Sequence, residues 1–434
     1  MEMPYGMKEL RSKRQLTEDT VNCHVRGCST VKERARGHFY PREQYLCPKH
    51  QIYLTPSTFQ YKDPCRNLLW RDAEDRALMG RIWKVKRTTA RLGRERDEDA
   101  LTWNVVRAFH REGRLAQLAR IMLAGRQVEV PDREEPEIFY WSATSDGKRW
   151  KRLENAQKEF GEEPERGTEP DIALWWPEKC LIFVEAKFSS PNRIPPSRRP
   201  QGEDNRAENY GGHAHFADVF KAGYEEIATE SKFYQLMRLW LLGTWLAKNE
   251  GVAFALVNLV RWGEETDIET AFGRRFCRQS RQRLFVRATW ESIWDALPSS
   301  GLSEQTIAIL DAYFHNKSRG YGADGRLQKA FTAQAERHGN PRRSGAGVTI
   351  PGEGNLDWFK KKDGWRRVWG PVRTMQQLVF RILRGCNDAH IDLHHQPATE
   401  CNLDYNIARN IVEAFLASGW RPPGGGIPTL YDGN

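Results

Sequence analysis

The sequence predicts a mixed α/β protein. Its central elements run helix, strand, strand, strand, helix, strand, after a small cysteine- and histidine-bearing module and before a small helical domain. Three observations predict it. Two apolar runs, IALWW at 172–176 and CLIFV at 180–184, flank the three-residue break Pro177-Glu178-Lys179 and are rich in residues that suit strands, so they read as a hairpin. Upstream, the stretch from Asp97 to about Glu112 opens with acidic side chains, as a helix N-terminus prefers, and carries Leu101, Val105, Ala108 and Phe109 at helical spacing. Downstream, residues 232–247 are apolar on most sides of a helix and hence buried, and 252–260 is a continuous apolar run that fits an interior strand. Residues 138–144 supply the first strand.

The hairpin carries chemistry at one end. If Trp176 pairs with Cys180, the register sets Asp171 opposite Glu185, with Cβ atoms about 5 Å apart. Two carboxylates that close repel one another unless a cation sits between them. Lys187 follows Glu185 by two residues and so shares its face. Two carboxylates and an ammonium at the end of an otherwise apolar hairpin have the outline of a metal-dependent hydrolase site. On the upstream helix, Glu98 lies three residues before Leu101 and shares its inward face, where a carboxylate is costly unless it meets a cation or a donor. Glu95 and Asp97 compete for the same role.

With Pro170-Asp171 followed by Glu185-Ala186-Lys187, the chain resembles the PD-(D/E)XK nuclease superfamily over residues 90 to 262. The resemblance implies an αβββαβ restriction-endonuclease-like core. It implies that Asp171 and Glu185 hold a divalent cation, Mg²⁺ or Mn²⁺, and that Lys187 positions or activates water. It implies a further carboxylate from the helix before the sheet, the place of Glu98. Gln235 or Arg238 on the second core helix matches an assisting position, although no full Gln-x-x-x-Tyr signature is present.

The chain has 434 residues, net charge +10 and a pI near 9.2, which favours polyanionic partners, with nucleic acid ahead of anionic membrane. No leader opens it and no apolar run reaches the roughly 20 residues of a membrane span, so a cytoplasmic protein is expected. Eight cysteines are too sparse for a disulfide scaffold. Cys23-x4-Cys28 and Cys47-Pro48-Lys49-His50 form two ligand pairs that suit a structural Zn²⁺, with His24 and His38 as alternatives to His50. Arg26, Lys32, Arg34, Arg36 and Lys49 surround them.

The chain reads as a zinc-binding module at 1–70, the nuclease-like domain at 71–318, a Gly/Arg-rich linker at 319–354, and a small helical domain with a Pro/Gly-rich tail at 355–434. Past the hairpin, a proline-rich basic loop carrying Arg193, Arg198 and Arg199 is placed to contact a nucleic-acid backbone, and His213 and His215 read as loop residues. Residues 284–289 add an edge strand, with helices after it. In the C-terminal domain, Cys386, His390, His394, His395 and Cys401 offer donors for a second metal, and the domain suits docking of a protein partner. The expected function is metal-dependent hydrolysis of phosphodiester bonds in DNA ahead of RNA, of the kind a restriction or antiviral-defence effector performs. The alternative is a nucleic-acid-binding or partner-docking scaffold with an inactive nuclease fold.

Overall fold

The structure, a computed structural model, describes residues 2–333 apart from 38, 87–91, 125, 127, 133, 166 and 198–204. It begins with short strands β1 (Thr20–Asn22), β2 (Val31–Glu33), β3 (Leu46–Cys47), β4 (Ile52–Leu54) and β5 (Phe59–Tyr61). β1 and β2 form one hairpin, and β3, β4 and β5 a small antiparallel sheet. Helices α1 (Ala73–Lys86), α2 (Glu98–Arg111) and α3 (Leu115–Met122) follow. The Asp97 side chain caps α2 by accepting from Ala100 N–H at 3.1 Å, and Glu98 and Asp99 occupy its first turn.

The central sheet contains β6 (Glu137–Tyr140), then, after helix α4 (Lys151–Glu159), β7 (Ile172–Trp176) and β8 (Cys180–Ala186). Helices α5 (Ala214–Val219) and α6 (Tyr234–Glu250) lead to β9 (Ala253–Val260) and β10 (Arg283–Thr289). The strand order is β10-β9-β8-β7-β6, antiparallel on the β6-β7-β8 side and parallel on the β8-β9-β10 side. The hairpin register is the expected one, from Trp176 opposite Cys180 to Ile172 opposite Val184. Alternation along β7 and β8 feeds two cores. Ile172, Leu174, Trp176, Ile182 and Val184 pack with α2 and α3, whereas Ala173, Trp175, Leu181 and Phe183 pack with α4 and α6. Both faces are covered, so the strands are apolar throughout rather than alternating. Helices α7 (Trp290–Ala296) and α8 (Glu304–Asn316) and the hairpin of β11 (Ser318–Tyr321) and β12 (Leu327–Lys329) complete this part of the chain.

Three expectations need correction. The first strand ends at Tyr140 rather than Thr144, because Trp141 and Ser142 turn the backbone to φ 47° and 65°. Residues 318–329, expected largely within a linker, are strands, and Ala330 and Phe331 behind them are buried. Their glycines answer a packing need, since Gly320 has φ +76° and a Cβ there would lie 2.9 Å from the Ser57 carbonyl. His215 is not in a loop but buried within α5, which His213 caps from the bend before it. Residues 1–333 form one compact unit, so the N-terminal module is continuous with the sheet domain. Leu327 N–H donates to Ser12 O and Tyr321 N–H to Ser57 O, at 2.8 and 3.0 Å. Among the described residues no helix is long and apolar enough to cross a membrane. The expected C-terminal helices and the second Cys/His set lie outside the described residues.

α6 lies so close to β9 that a Cβ on Gly243 would sit 2.1 Å from the Phe254 ring. Overpacking costs about 1–3 kcal/mol, against roughly 1 kcal/mol gained in helix propensity. Gly243→Ala should therefore lower the thermal unfolding midpoint. An unchanged or raised midpoint would show that the ring yields freely.

Candidate metal centre and candidate active site

Cys23 follows β1, Cys28 closes the turn after it, Cys47 ends β3, and His50 lies in the tight turn before β4. In that turn Gln51 N–H donates to Cys47 O at 2.9 Å. The four side chains offer ligand atoms that all lie within 4.8 Å of one another. Cys28 Sγ is 3.9 Å from Cys47 Sγ, and His50 Nδ1 is 3.4 Å from Cys23 Sγ and 3.5 Å from Cys47 Sγ. Tetrahedral zinc with bonds near 2.3 Å to sulfur and 2.0–2.1 Å to nitrogen requires edges of roughly 3.6–3.8 Å. Burial pushes the Cys23 thiol up, and burial with Lys49 and Arg66 pushes His50 down toward the neutral imidazole a metal binds. The set can hold a metal ion such as zinc. His24 is no ligand. It is buried against the Tyr321 ring at 4.9 Å, and burial lowers it to about 3. His38 lies outside the described residues.

At the end of β7, Asp171 is fixed from two sides. Ala186 N–H donates to Oδ2 at 2.8 Å, and Trp141 Nε1 donates to Oδ1 at 3.2 Å. The left-handed backbone at Trp141 brings that indole to the carboxylate. Strain of this kind is a pointer to a functional site, and no periodicity in the sequence marks it. Glu185, fully buried on β8, accepts from Lys187 Nζ and, at 2.7 Å, from Gln235 Nε2 on α6, both at Oε1. Its Oε2 is buried without a partner. Lys187 Nζ also lies 4.0 Å from Glu98 Oε1. Gln235 reaches the site and Arg238 does not. Arg238 is committed to Glu162 at 3.1 Å.

Glu98 accepts from Phe188 N–H at 2.7 Å and from Ser190 Oγ at 2.8 and 3.0 Å, so it holds the chain just past β8. Its competitors have other work. Asp97 is the helix cap, pushed up to about 7 chiefly by burial. Glu95 is buried, accepting from Ser318 Oγ at 2.8 Å and pairing with Lys317 at 3.7 Å. Two groups the sequence did not single out complete the surroundings. Asp99 and Lys86 pair at 2.5 Å and act on Asp171 in opposite senses.

Burial pushes Asp171 up to about 6 and Glu185 up to about 8, with Lys187 pulling both back. Lys187 itself rises, because three carboxyls outweigh its own burial. The carboxylates Glu98, Asp171 and Glu185 are not drawn to the spacing of the Cys/His set. Their chemistry nevertheless fits a hard cation, for all donors are oxygens and Oε2 of Glu185 is free. Arg193 is tied to Asp267 at 2.5 Å and lies over the Phe233 ring. Arg198 and Arg199 lie outside the described residues. No family model, curated protein or solved structure matches the chain.

Residues 93–95 pair with β5 of the Cys/His module, Tyr61 N–H donating to Gly93 O and Glu95 N–H to Phe59 O at 2.8 and 3.1 Å. Two residues later Asp97 opens α2 and presents Glu98. Purified chain should carry one zinc, by elemental analysis. Cys47→Ser should lose that zinc, lower the unfolding midpoint by several degrees and raise amide hydrogen exchange at residues 93–98. A zinc-free protein of unchanged stability would remove the centre.

Proposed function

We propose that this chain is a divalent-metal-dependent nuclease that hydrolyses phosphodiester bonds in DNA. The observation that carries the reading is the meeting of Asp171, Glu185 and Lys187 at one end of β7 and β8, with Gln235 on Glu185 and one carboxylate oxygen of Glu185 left free. The order α2, β6, β7, β8, α6, β9 supports it, since that is the αβββαβ sequence of the superfamily, with α3, α4 and α5 inserted. The net charge of +10 suits the substrate.

Asp171 and Glu185 would hold Mg²⁺ or Mn²⁺, with Glu98 as a third carboxylate. When bound, the ion supplies Lewis-acid polarisation of a phosphoryl oxygen and a lowered pKa for water. The protein's own groups provide the rest. Ala186 N–H and the Trp141 indole hold Asp171 in one orientation, and Gln235 does the same for Glu185. Lys187, kept as an ammonium by its carboxylates, donates to the attacking water or to the phosphoryl oxygens as negative charge builds there. The Lys187 side chain is mostly buried, at 11% exposure, so its charge acts with little screening.

Asp171→Ala, Glu185→Ala and Lys187→Ala should each cut the cleavage rate on plasmid or linear DNA in Mg²⁺ or Mn²⁺ by roughly a hundredfold or more. Gln235→Ala should cost about 10–100-fold, the scale for groups that orient ligands. Near-normal cutting by any of the first three would end the assignment.

Protons and metal compete for the same two carboxylates, so cleavage should rise with pH from about 6 to about 8, and added Mn²⁺ should shift the midpoint downward. Stability of the metal-free protein runs the other way. A carboxyl raised from 4.5 to about 8 on folding stabilises fully below the lower value and loses that contribution as pH rises through the higher one. A rate flat from pH 6 to 9 at limiting Mn²⁺ would contradict this account.

A further inference from the structure

Beside the Cys/His centre an open groove of about 820 Å³ is lined by ten residues, among them Arg11, Lys13, Arg14 and Arg26, and no acidic side chain. Its arginines are fixed by neutral carbonyls. Arg11 donates through Nε to Cys23 O at 2.8 Å and through Nη2 to Cys28 O. Arg14 donates to Pro56 O and lies over the Tyr321 ring at 5.2 Å, and Arg26 reaches Leu10 O at 3.5 Å. Hydrogen bonds of this kind orient a guanidinium without cancelling its charge. Among the described residues none of the four cations has an ion pair, in contrast to neighbouring Arg36, which is bound to Asp19 at 3.2 Å. Gln15 and Asn22, joined at 2.7 Å, add amide groups to the same lining.

We propose that this groove is a docking site for the phosphodiester backbone of nucleic acid, separate from the carboxylate centre. This rests on the nucleic-acid reading above but not on cleavage. Small-molecule pockets are lined mostly by apolar groups, whereas here the one large apolar side chain is Leu16, at 38% exposure. Oriented, uncompensated guanidinium groups match phosphate oxygens, and the remaining N–H donors of Arg11 and Arg26 are available to them. Arg11 holds the carbonyls of two Cys ligands, so the metal centre and the groove share one scaffold.

The test measures affinity of full-length Glu185→Gln protein for labelled duplex DNA, single-stranded DNA and RNA between 50 and 200 mM KCl. Ca²⁺ without chelator keeps the zinc in place. If the four cations meet four phosphates, their share of the binding falls about 150-fold over that range. Lys13→Ala with Arg26→Ala should reduce the log–log salt slope by about 1.8, with zinc content and unfolding midpoint unchanged. Lys13 is exposed and has no side-chain partner among the described residues, so Lys13→Glu alone is a second, structurally mild variant expected to weaken binding by roughly tenfold. Unaltered affinity and slope in both variants overturns the proposal. So does binding to anionic vesicles or an acidic peptide with none to nucleic acid. Salt-dependent binding by this variant, with no cleavage by the unsubstituted chain in any metal, sinks the nuclease reading and leaves the groove standing.

Discussion

A buried carboxyl at the end of a strand sets the terms for the rest of this fold. Glu185 is fully buried, and the side chains before it on β8 are apolar. Leaving it charged and unpaired would cost several kcal/mol, so the surroundings are arranged to meet it. Lys187 answers from the same strand, and Gln235 from α6. Asp171, across the hairpin, adds repulsion, and it is held in place by Ala186 N–H and Trp141. Removing a partner from a buried pair ordinarily costs about 3–5 kcal/mol. Here Glu185 can take up a proton near neutral pH, which softens that penalty. Loss of Lys187 should therefore cost the fold less than that figure.

The second constraint is mechanical. The chain from the Cys/His module enters α2 with hardly any slack, because residues 93–95 extend the β3-β4-β5 sheet and Asp97 caps the helix directly after. Glu95 stitches this junction to β11, taking Ser318 Oγ at 2.8 Å and the Lys317 ammonium, while Thr58 donates to its other oxygen at 3.3 Å. Whatever fixes the four metal ligands thus also fixes where Glu98 stands against Phe188 and Ser190. A sheet bearing the Cys/His set and a sheet bearing carboxylates share one seam.

The hairpin, its register, the two core helices and the interior strand were legible in the sequence. Each depends on local periodicity or on one pairing rule. All four residues of the Cys/His set were legible from the spacing of its two pairs, and tertiary packing removed His24 as a substitute for His50. Helix α4 was missed, for its buried face is little more than Leu153, Ala156 and Gln157. The β11–β12 hairpin was taken for linker, since glycine and arginine counts do not reveal that Gly320 packs against the Ser57 carbonyl. Asp99, Lys86 and Trp141 were not legible either. Their relation to Asp171 arises from a turn and a helix start that sequence separation hides.

Charge shows the same limit in another form. A surplus of ten positive charges says that a polyanion is favoured but not where it binds. Several basic residues near the hairpin are already spent, Arg193 on Asp267, Arg238 on Glu162 and Arg261 on Glu264. An arginine held by a carboxylate offers little field to a phosphate, while one held by a carbonyl keeps its full charge and loses only its freedom. By that criterion the arginines of the N-terminal groove, bound to Cys23, Cys28, Pro56 and Leu10 carbonyls, outrank Arg193, while Arg198 and Arg199 lie outside the described residues. On the proposed reading, binding and cutting would fall on different parts of one compact unit, joined through the strand that leads into α2.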